Sequence, residues 1–232
     1  YSSTRSGVSA IWLKQVGGGE PFTRKQDKWL DRNPLFSPDG QQIAFLSERE
    51  GQTGIWSMPM LGGSAVLLKT LEGGGQNLLR WSKDGTKIYF EQGKNLFQIE
   101  LPSKTITQLA NFDSWQFTRL RSDISPDEER LAFIAKQDGK SDIWITSKNG
   151  ENPVRLTNDN FEEGYLVWHP DGKRIIYDSV RNGISQIFAA ELDGSAPVQL
   201  IFSDNPNYVS DISPDGNRII YHSQRDESDI WK

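Results

Sequence analysis

The chain has 232 residues, of which 35% are apolar, and it contains eight Trp, eleven Phe and no Cys. A net charge of −5 argues against direct nucleic-acid binding, which requires a basic face, and the absence of Cys excludes disulfides, thiolate metal sites and a Cys nucleophile. No apolar run reaches the length of a transmembrane helix, so the sequence predicts no membrane insertion by this domain.

A short turn recurs five times along the chain at a nearly fixed interval. Successive turns are 43 to 45 residues apart, as measured between their aspartates, which are Asp39, Asp84, Asp127, Asp171 and Asp215. A period in this range is typical of a four-stranded sheet repeated around a ring, because one such sheet cannot bury both of its faces alone. The sequence therefore predicts an all-β fold, a β-propeller of four-stranded blades.

Each repeat contains the pattern of four short strands. An innermost strand leads into a Ser-Pro-Asp-Gly turn whose Gly takes a left-handed conformation, and Glu128 replaces this Gly once at a cost on the order of 1 kcal/mol. The second strand is nearly all apolar, as at 43–46, which suits a strand covered on both faces. The third strand carries an aliphatic-aromatic pair such as Ile55-Trp56, and a Gly-containing turn then leads to an outer strand such as 154–157.

The number of blades follows from how the terminal repeats are completed. The chain opens inside a second strand and closes inside a third, so we expect one propeller domain that is a fragment of a longer chain. The predicted repeats are 1–34, 35–79, 80–122, 123–166, 167–210 and 211–232. A six-bladed ring is the first choice, a five-bladed ring whose two ends share a blade is the alternative, and an arc of a larger ring comes third.

The repeat resembles that of the TolB-like propeller family. The resemblance rests on the Ser-Pro-Asp-Gly turns, on Ser-Glu-Arg-Glu-Gly at 47–51 and on Ser-Asp-Ile-Trp at 141–144 and 228–231, and it extends over essentially the whole chain. It implies a periplasmic or extracytoplasmic location and a protein partner, as for periplasmic TolB. Similar repeats also form the sensory propellers of membrane-anchored winged-helix regulators of the ToxR and CadC kind, and the gating propellers of serine peptidases.

The sequence offers no catalytic or metal-binding constellation. It lacks a Gly-x-Ser-x-Gly elbow, and its two His, His169 and His222, fall in separate repeats. The five turn aspartates repeat with the blades, so an Asx-type bond to the turn backbone accounts for all of them. We therefore expect no cofactor, no metal and no enzymatic activity in this domain.

Function is expected on the face that carries the connections between blades, because these connections are long and differ from one another. Aromatic and charged side chains that do not follow the repeat accumulate there, and such residues are the usual components of binding hot spots. The candidate partner-binding residues on this face are Trp29, Arg32, Trp115, Arg119, Arg121, Phe161, Glu163, Tyr165 and Tyr208.

Three further candidates stand two positions before the first residue of a turn, on the innermost strands. They are Arg80, Asp123 and Asp211. If this position faces a central channel, its mouth carries two acids and one Arg. Such a mouth would hold a small polar ligand, a metal ion or a peptide terminus, or the three charges would neutralise one another, which is the preferred interpretation.

Three functions are compatible with these patterns. The first is a non-enzymatic binding or sensory propeller that recognises a protein, a peptide or a small ligand. The second is the substrate-gating propeller of a serine peptidase whose catalytic domain lies outside this chain. The third, a lyase or hydrolase that acts through Asp123 and Asp211 with a metal, is least favoured because His is so scarce.

Overall fold

A computed structural model describes residues 2–3, 10–13, 22–23, 29–49, 51–61, 63–73, 76–116, 121–137 and 139–223. The regular structure within these ranges is all β, in 21 strands, which confirms the predicted class. The chain divides into two compact units, Tyr1–Leu109 and Ala110–Lys232. Each unit is built from antiparallel sheets whose strands follow one another in chain order.

The first unit begins with a three-stranded sheet and continues with two four-stranded sheets. The strands of the three-stranded sheet are β1 (Ser2–Ser3), β2 (Ala10–Leu13) and β3 (Phe22–Thr23). The first four-stranded sheet contains β4 (Leu30–Phe36), β5 (Gln42–Arg49), β6 (Gln52–Pro59) and β7 (Val66–Leu71). The second contains β8 (Gln76–Trp81), β9 (Lys87–Gln92), β10 (Asn95–Glu100) and β11 (Thr105–Asn111). We call these two four-stranded sheets blade 1 and blade 2.

The second unit contains two four-stranded sheets and a two-stranded sheet. Blade 3 consists of β12 (Ser122–Ile124), β13 (Arg130–Gln137), β14 (Lys140–Ser147) and β15 (Val154–Arg155). Blade 4 consists of β16 (Glu162–Trp168), β17 (Arg174–Arg181), β18 (Ile184–Glu191) and β19 (Val198–Gln199). The two-stranded sheet pairs β20 (Asn207–Ile212) with β21 (Ile219–Ser223).

The predicted number of blades is wrong. Neither the six-bladed ring nor the five-bladed alternative is observed, since the described residues form four four-stranded blades. The error lies in the terminal repeats, which were counted as contributors to complete blades. Their described residues form a three-stranded and a two-stranded sheet instead.

The Ser-Pro-Asp-Gly turns are closed by the hydrogen bonds that the sequence predicted. In blade 1, Ser37 Oγ donates to Asp39 Oδ1 at 2.6 Å, and the backbone N–H of Gln41 donates to the same oxygen at 3.0 Å. Equivalent bonds hold the pKa of the Asp84 carboxyl at about 2, chiefly through the Ser82 hydroxyl. The turn aspartates are therefore ionised structural residues.

Each blade packs through its second and third strands. The apolar run of β5 is completely buried, and so is Ile55 of the aliphatic-aromatic pair in β6. The equivalent residues of the other three blades, Leu96, Ile143 and Ile187, are also buried. This burial leaves the ends of the strands and the innermost strands to carry polar side chains.

Four innermost strands contain a register shift that fixes where their polar residues point. The shifts lie between Arg32 and Leu35 in β4, and in the corresponding part of the other three strands, between 78 and 80 in β8, 163 and 166 in β16, and 209 and 211 in β20. A bulge of this kind re-aims the side chains beside it. At the start of the bulge or one or two residues before it, each strand carries a buried polar residue, namely Asp31, Gln76, Glu163 and Asn207.

Candidate functional site

In the first unit, one of the three candidate residues connects neighbouring blades. Arg32 on β4 donates from Nη1 to the backbone carbonyl of Gln76 on β8 at 3.0 Å. Arg80 is half-buried on β8, and Trp29 is half-buried just before β4. Arg32 is therefore committed, at least through Nη1, to holding blade 1 against blade 2.

The two aspartates of the predicted channel mouth have different environments. Asp123 is buried, and its Oδ2 accepts the backbone N–H of Trp168 at 2.8 Å, while its carbonyl accepts the indole N–H of the same Trp at 2.9 Å. Asp211 is exposed and accepts the N–H of Ile212 at 2.8 Å. Asp123 thus ties β12 to β16.

Trp115 contributes to the packing of blade 3. Its ring meets Phe133 edge-on at a centroid distance of 4.9 Å and Trp144 at the same distance. The candidate Arg119, four residues further on, lies outside the described residues. Tyr208 is half-buried on β20.

Arg121 and Tyr165 form a stacked pair whose tyrosine ring is exposed. The Arg121 guanidinium lies 4.1 Å from the centroid of the Tyr165 ring, and this ring is 46% exposed. Arg121 immediately precedes β12 and Tyr165 lies in β16, so the pair bridges blade 3 and blade 4. An arginine stacked on an aromatic ring gains a cation–π interaction and presents both groups in a fixed orientation.

Asp178 positions the Tyr165 backbone and was not identified from the sequence. It is buried in β17, and its Oδ1 accepts the backbone N–H of Tyr165 at 3.1 Å and that of Val209 at 3.3 Å. Burial raises the pKa of the Asp178 carboxyl to about 6, although the two N–H donors and Arg121 oppose this shift. The signal in the sequence is an acid inside an apolar second strand, at the position that Leu46 occupies in blade 1.

Glu163 and Phe161 belong to a second, buried cluster in the same unit. Glu163 is 6% exposed, and neither of its carboxyl oxygens makes a hydrogen bond of normal geometry with a described residue. Arg181 lies 4.6 Å from the Phe161 ring centroid and 3.8 Å from that of Phe188, and it donates to Asp159 Oδ2 at 3.2 Å. Arg181 pairs with Asp159, and within the described ranges Glu163 has no ion-pair partner.

The two acids whose charges act on Glu163 have arginine partners of their own. Asp142 is completely buried and pairs with Arg155, as Asp159 pairs with Arg181. Burial, reinforced by these two aspartates, raises the pKa of Glu163 to about 8, and the Thr157 hydroxyl and Arg181 lower it by less. Glu163 is therefore protonated at neutral pH, as expected for a carboxyl group kept from water without a cation of its own.

In blade 1, the acid and the arginine at the repeat positions of Glu163 and Arg181 lie on either side of a shared serine. Ser47 Oγ donates to Asp31 Oδ1 at 2.5 Å and accepts from Arg49 Nε at 2.9 Å. In blade 4 these positions are Glu163, Ser179 and Arg181, and the Ser179 hydroxyl also lacks a partner within the described part of the chain. Blade 4 thus differs from blade 1 in that its arginine, Arg181, pairs with Asp159 and not with the acid at the repeated position.

The described residues contain no cluster of three or more His, Cys, Asp or Glu that could hold a metal ion. Within the same ranges, no helix is long and apolar enough to cross a membrane. His169 is used in the turn of blade 4, where its Nδ1 lies 2.9 Å from Asp171 Oδ1.

The chain is similar to TolB proteins and to part of a peptidase. A stretch of 148 residues is 25% identical to the Protein TolB homolog of Chlorobium luteolum, covering 62% of this chain and 33% of that protein. A stretch of 84 residues is 37% identical to the Uncharacterized peptidase YuxL of Bacillus subtilis, covering 35% of this chain and 12% of that protein. The chain thus spans a third or less of the length of these curated relatives.

A solved structure and a family model define the fold and the family. A TolB candidate from Agrobacterium tumefaciens superposes with a TM-score of 0.71 at 19% identity, over 90% of this chain and 81% of that one. This similarity confirms the β-propeller class that the repeat predicted. The family model of the TolB beta propeller domain matches residues 80–231, which is more than half of the sequence. The chain therefore belongs to the TolB beta propeller domain family.

Proposed function

We propose that this domain is a non-enzymatic binding propeller that recognises a protein or peptide partner on the face bearing the connections between blades. The observation that carries this proposal is the Arg121 guanidinium stacked on the exposed Tyr165 ring, at 4.1 Å from its centroid. Tyr and Arg are enriched among the residues that dominate binding energy at interfaces. An extracytoplasmic location, in the periplasm, accompanies this proposal because several relatives are TolB proteins.

The environment of Tyr165 favours binding because its backbone and ring are already held in one orientation in the free domain. Its backbone N–H is held by the buried Asp178, and its ring is covered on one side by Arg121. A partner that contacts the open side of the ring would lose little further side-chain entropy on the domain's part.

The proposal is tested by site-specific photo-crosslinking in the full-length protein. The photoreactive residue p-benzoylphenylalanine replaces Tyr165 in one variant and Tyr221 in a control, whose side chain is 42% exposed against 46% for Tyr165. We expect a specific adduct from position 165 only. The crosslinked protein is then purified, and its affinity for the unmodified domain is compared with that for Tyr165→Ala.

A loss of at least tenfold in affinity on Tyr165→Ala supports the proposal, since an aromatic hot spot contributes about 2 kcal/mol or more. Equal affinities for the two proteins would contradict it. An adduct of equal yield from position 221 would contradict it as well, because such an adduct reports non-specific collision.

The second candidate is the substrate-gating propeller of a serine peptidase. The observation that favours it is the 37% identity over 84 residues with a part of the Bacillus subtilis protein named as a peptidase. A fluorophosphonate probe applied to the full-length protein distinguishes the two functions. Labelling of a serine outside the propeller would support the gating function, and absence of labelling in a protein that binds its crosslinked partner would support the first proposal.

A further inference from the structure

Two gaps between neighbouring blades are built from the same parts. The first gap separates blade 1 from blade 2, and the second separates blade 3 from blade 4. A tryptophan anchors each: Trp81 Nε1 donates to the carbonyl of Leu35 at 3.3 Å, and Trp168 Nε1 donates to that of Asp123 at 2.9 Å. Leu35 and Asp123 occupy the same position of the repeat, so the two indoles are held in the same way.

The turns beside the two tryptophans also make corresponding contacts in the two gaps. A methyl group built on Gly85 would lie 3.8 Å from Pro38 Cδ, and one built on Gly172 would lie 4.0 Å from Pro126 Cδ. Each contact joins a turn of one blade to the turn of the next. The spacing of the blades at this end of the strands is therefore the same in both gaps.

Arg130 fills the second gap. Its Nη2 donates to Asp127 Oδ2 at 3.2 Å and to the carbonyl of Gly172 at 3.0 Å. Its guanidinium lies 4.9 Å from the centroid of the Trp168 ring, which is only 1% exposed. The second gap thus binds a guanidinium through a carboxylate, a carbonyl and an indole face.

In the first gap the residue at the position of Arg130 is Gln42. Its side chain is shorter, and its Oε1 accepts a hydrogen bond from Ser57 Oγ at 3.0 Å, which directs it along its own blade. The first gap holds an open cleft of about 570 Å³, and its lining includes Asp39, Gly85 and Trp81, the counterparts of the groups that contact Arg130, together with the opposite charges of Lys83 and Asp84. The Trp81 ring is correspondingly less covered than that of Trp168, at 8% exposed.

Asp39 lines this cleft, and its turn uses only one of its two carboxylate oxygens. Its Oδ1 accepts from Ser37 and Gln41, as the turn requires, whereas Asp127 uses its Oδ2 for Arg130. No donor among the described residues is bonded to Asp39 Oδ2. The Ser37 hydroxyl and the Gln41 N–H lower the pKa of Asp39, so the carboxylate is ionised at neutral pH.

We propose that the cleft of the first gap binds a guanidinium group supplied by a ligand, in the place that Arg130 fills in the second gap. Asp39 accepts hydrogen bonds from the guanidinium and the Trp81 ring stacks against it. Leu68 and Leu101 line the same cleft and would contact the methylene groups of an arginine side chain. The ligand is an arginine residue of a partner protein or a free arginine-like molecule. This site stands independently of the Arg121–Tyr165 pair.

The cleft is tested by NMR titration of the ¹⁵N-labelled protein. N-acetyl-L-arginine amide is the probe, and N-acetyl-L-citrulline amide, of the same shape but uncharged, is the control. We expect saturable shifts of the Trp81 indole N–H and the Gly85 amide with the arginine compound, and at least tenfold weaker binding of the citrulline compound. Equal binding of both compounds would overturn the proposal.

A substitution that supplies the missing group tests the site without relying on a loss of fold. Gln42→Arg is expected to fill the cleft from within, to raise Tm and to abolish the shifts caused by the arginine compound. Retained binding in Gln42→Arg would overturn the proposal. Arg130→Gln is the mirror experiment: it should lower Tm, and N-acetyl-L-arginine amide should recover part of that loss. Absence of recovery would refute the equivalence of the two gaps.

The source of the guanidinium is identified by comparing two further probes. Tighter binding of the tripeptide Gly-Arg-Gly than of L-arginine would support an arginine of a partner protein. Tighter binding of L-arginine would support a free small molecule. Failure of both probes to shift Trp81 would overturn the proposal.

Discussion

Trp115 and Trp144 meet edge-on, with their ring centroids 4.9 Å apart and their planes at 68°. Trp115 also packs against Phe133, so it closes the end of blade 3. We therefore expect Trp115→Ala to lower the free energy of unfolding by about 2–4 kcal/mol, through the loss of buried aromatic contacts and the cavity that remains. Urea denaturation followed by far-UV circular dichroism measures this change.

Tyr165→Ala is the matched control for Trp115→Ala. Its ring is 46% exposed, and its backbone hydrogen bond to Asp178 survives the substitution. We expect a change within about 0.5 kcal/mol, as for an exposed surface position. Equal destabilisation by the two substitutions would contradict the distinction between a packing tryptophan and an exposed tyrosine.

The sequence alone does not distinguish Trp115, which packs inward, from Tyr165, which stays exposed. Both are aromatic, both lie in or beside a connection between blades, and neither follows the repeat. Which of them turns inward depends on how the connection folds over its own blade, and no periodicity describes a connection that occurs once. The face was therefore predictable as a region, while the side chain that remains available on it was not.

Glu163 makes stability depend on pH in an uncommon direction. Its folded-state pKa of about 8 lies above its ordinary value of 4.5, so the folded protein keeps a proton that the unfolded chain loses in this range. Wild-type stability should accordingly fall as pH rises from 4.5 to about 8, at a slope of up to about 1.4 kcal/mol per pH unit. Glu163→Gln removes the titrating group and keeps the shape, so its stability relative to wild type should rise across the same window.

Urea denaturation of wild type and Glu163→Gln at several pH values measures this difference. Asp178, whose pKa is raised to about 6, contributes a slope of the same sign, but it is present in both proteins and cancels. Stability curves that run parallel between pH 4.5 and 8 would show that Glu163 ionises in the folded protein as it does in the unfolded chain.

The repeat predicted which positions are structural, but it did not predict that an arginine at one of these positions pairs with a different acid in different blades. Asp31 and Glu163 stand at one position of the repeat, each with an arginine at the end of the second strand of its blade. Arg49 reaches Asp31 at 3.7 Å, whereas Arg181 turns to Asp159 in the preceding connection. The diversion depends on a contact between a repeated residue and a non-repeated one, which alignment of the repeats cannot reveal.

Gly164 provides room for the carboxyl group of Asp178. A Cβ atom at Gly164 would lie 1.8 Å from Asp178 Oδ2 and 2.9 Å from its Cγ. The backbone at Gly164 is outside the left-handed region, so the cost of Gly164→Ala is steric. We expect this substitution to lower the free energy of unfolding by about 2 kcal/mol or more.

A double-mutant cycle tests the cause of that loss. Asp178→Ala removes the obstructing carboxyl group, although it also leaves the N–H groups of Tyr165 and Val209 without their acceptor. Gly164→Ala should therefore cost much less in the Asp178→Ala background than in wild type. Additive effects of the two substitutions would rule out the clash as the cause.

Glu128 carries the one departure from Gly among the five turns that the sequence singled out, and the structure confirms its strain. Its φ is +62°, whereas Gly172 takes +67° at the same position of the next blade. We expect Glu128→Gly to raise the free energy of unfolding by up to about 1 kcal/mol, because relief of left-handed strain exceeds the entropy that glycine adds to the unfolded chain. Thermal and urea denaturation measure the gain.

Gly172→Ala is the reciprocal substitution. Its new methyl group would meet Arg130 Nη2 at 3.8 Å and Pro126 Cδ at 4.0 Å, which are ordinary contacts, so its cost should come from the backbone alone. We expect a loss of about 1 kcal/mol, similar in size to the gain from Glu128→Gly and opposite in sign. If Glu128→Gly were destabilising while Gly172→Ala followed this expectation, a favourable contact of the Glu128 side chain would have to outweigh the strain of its backbone.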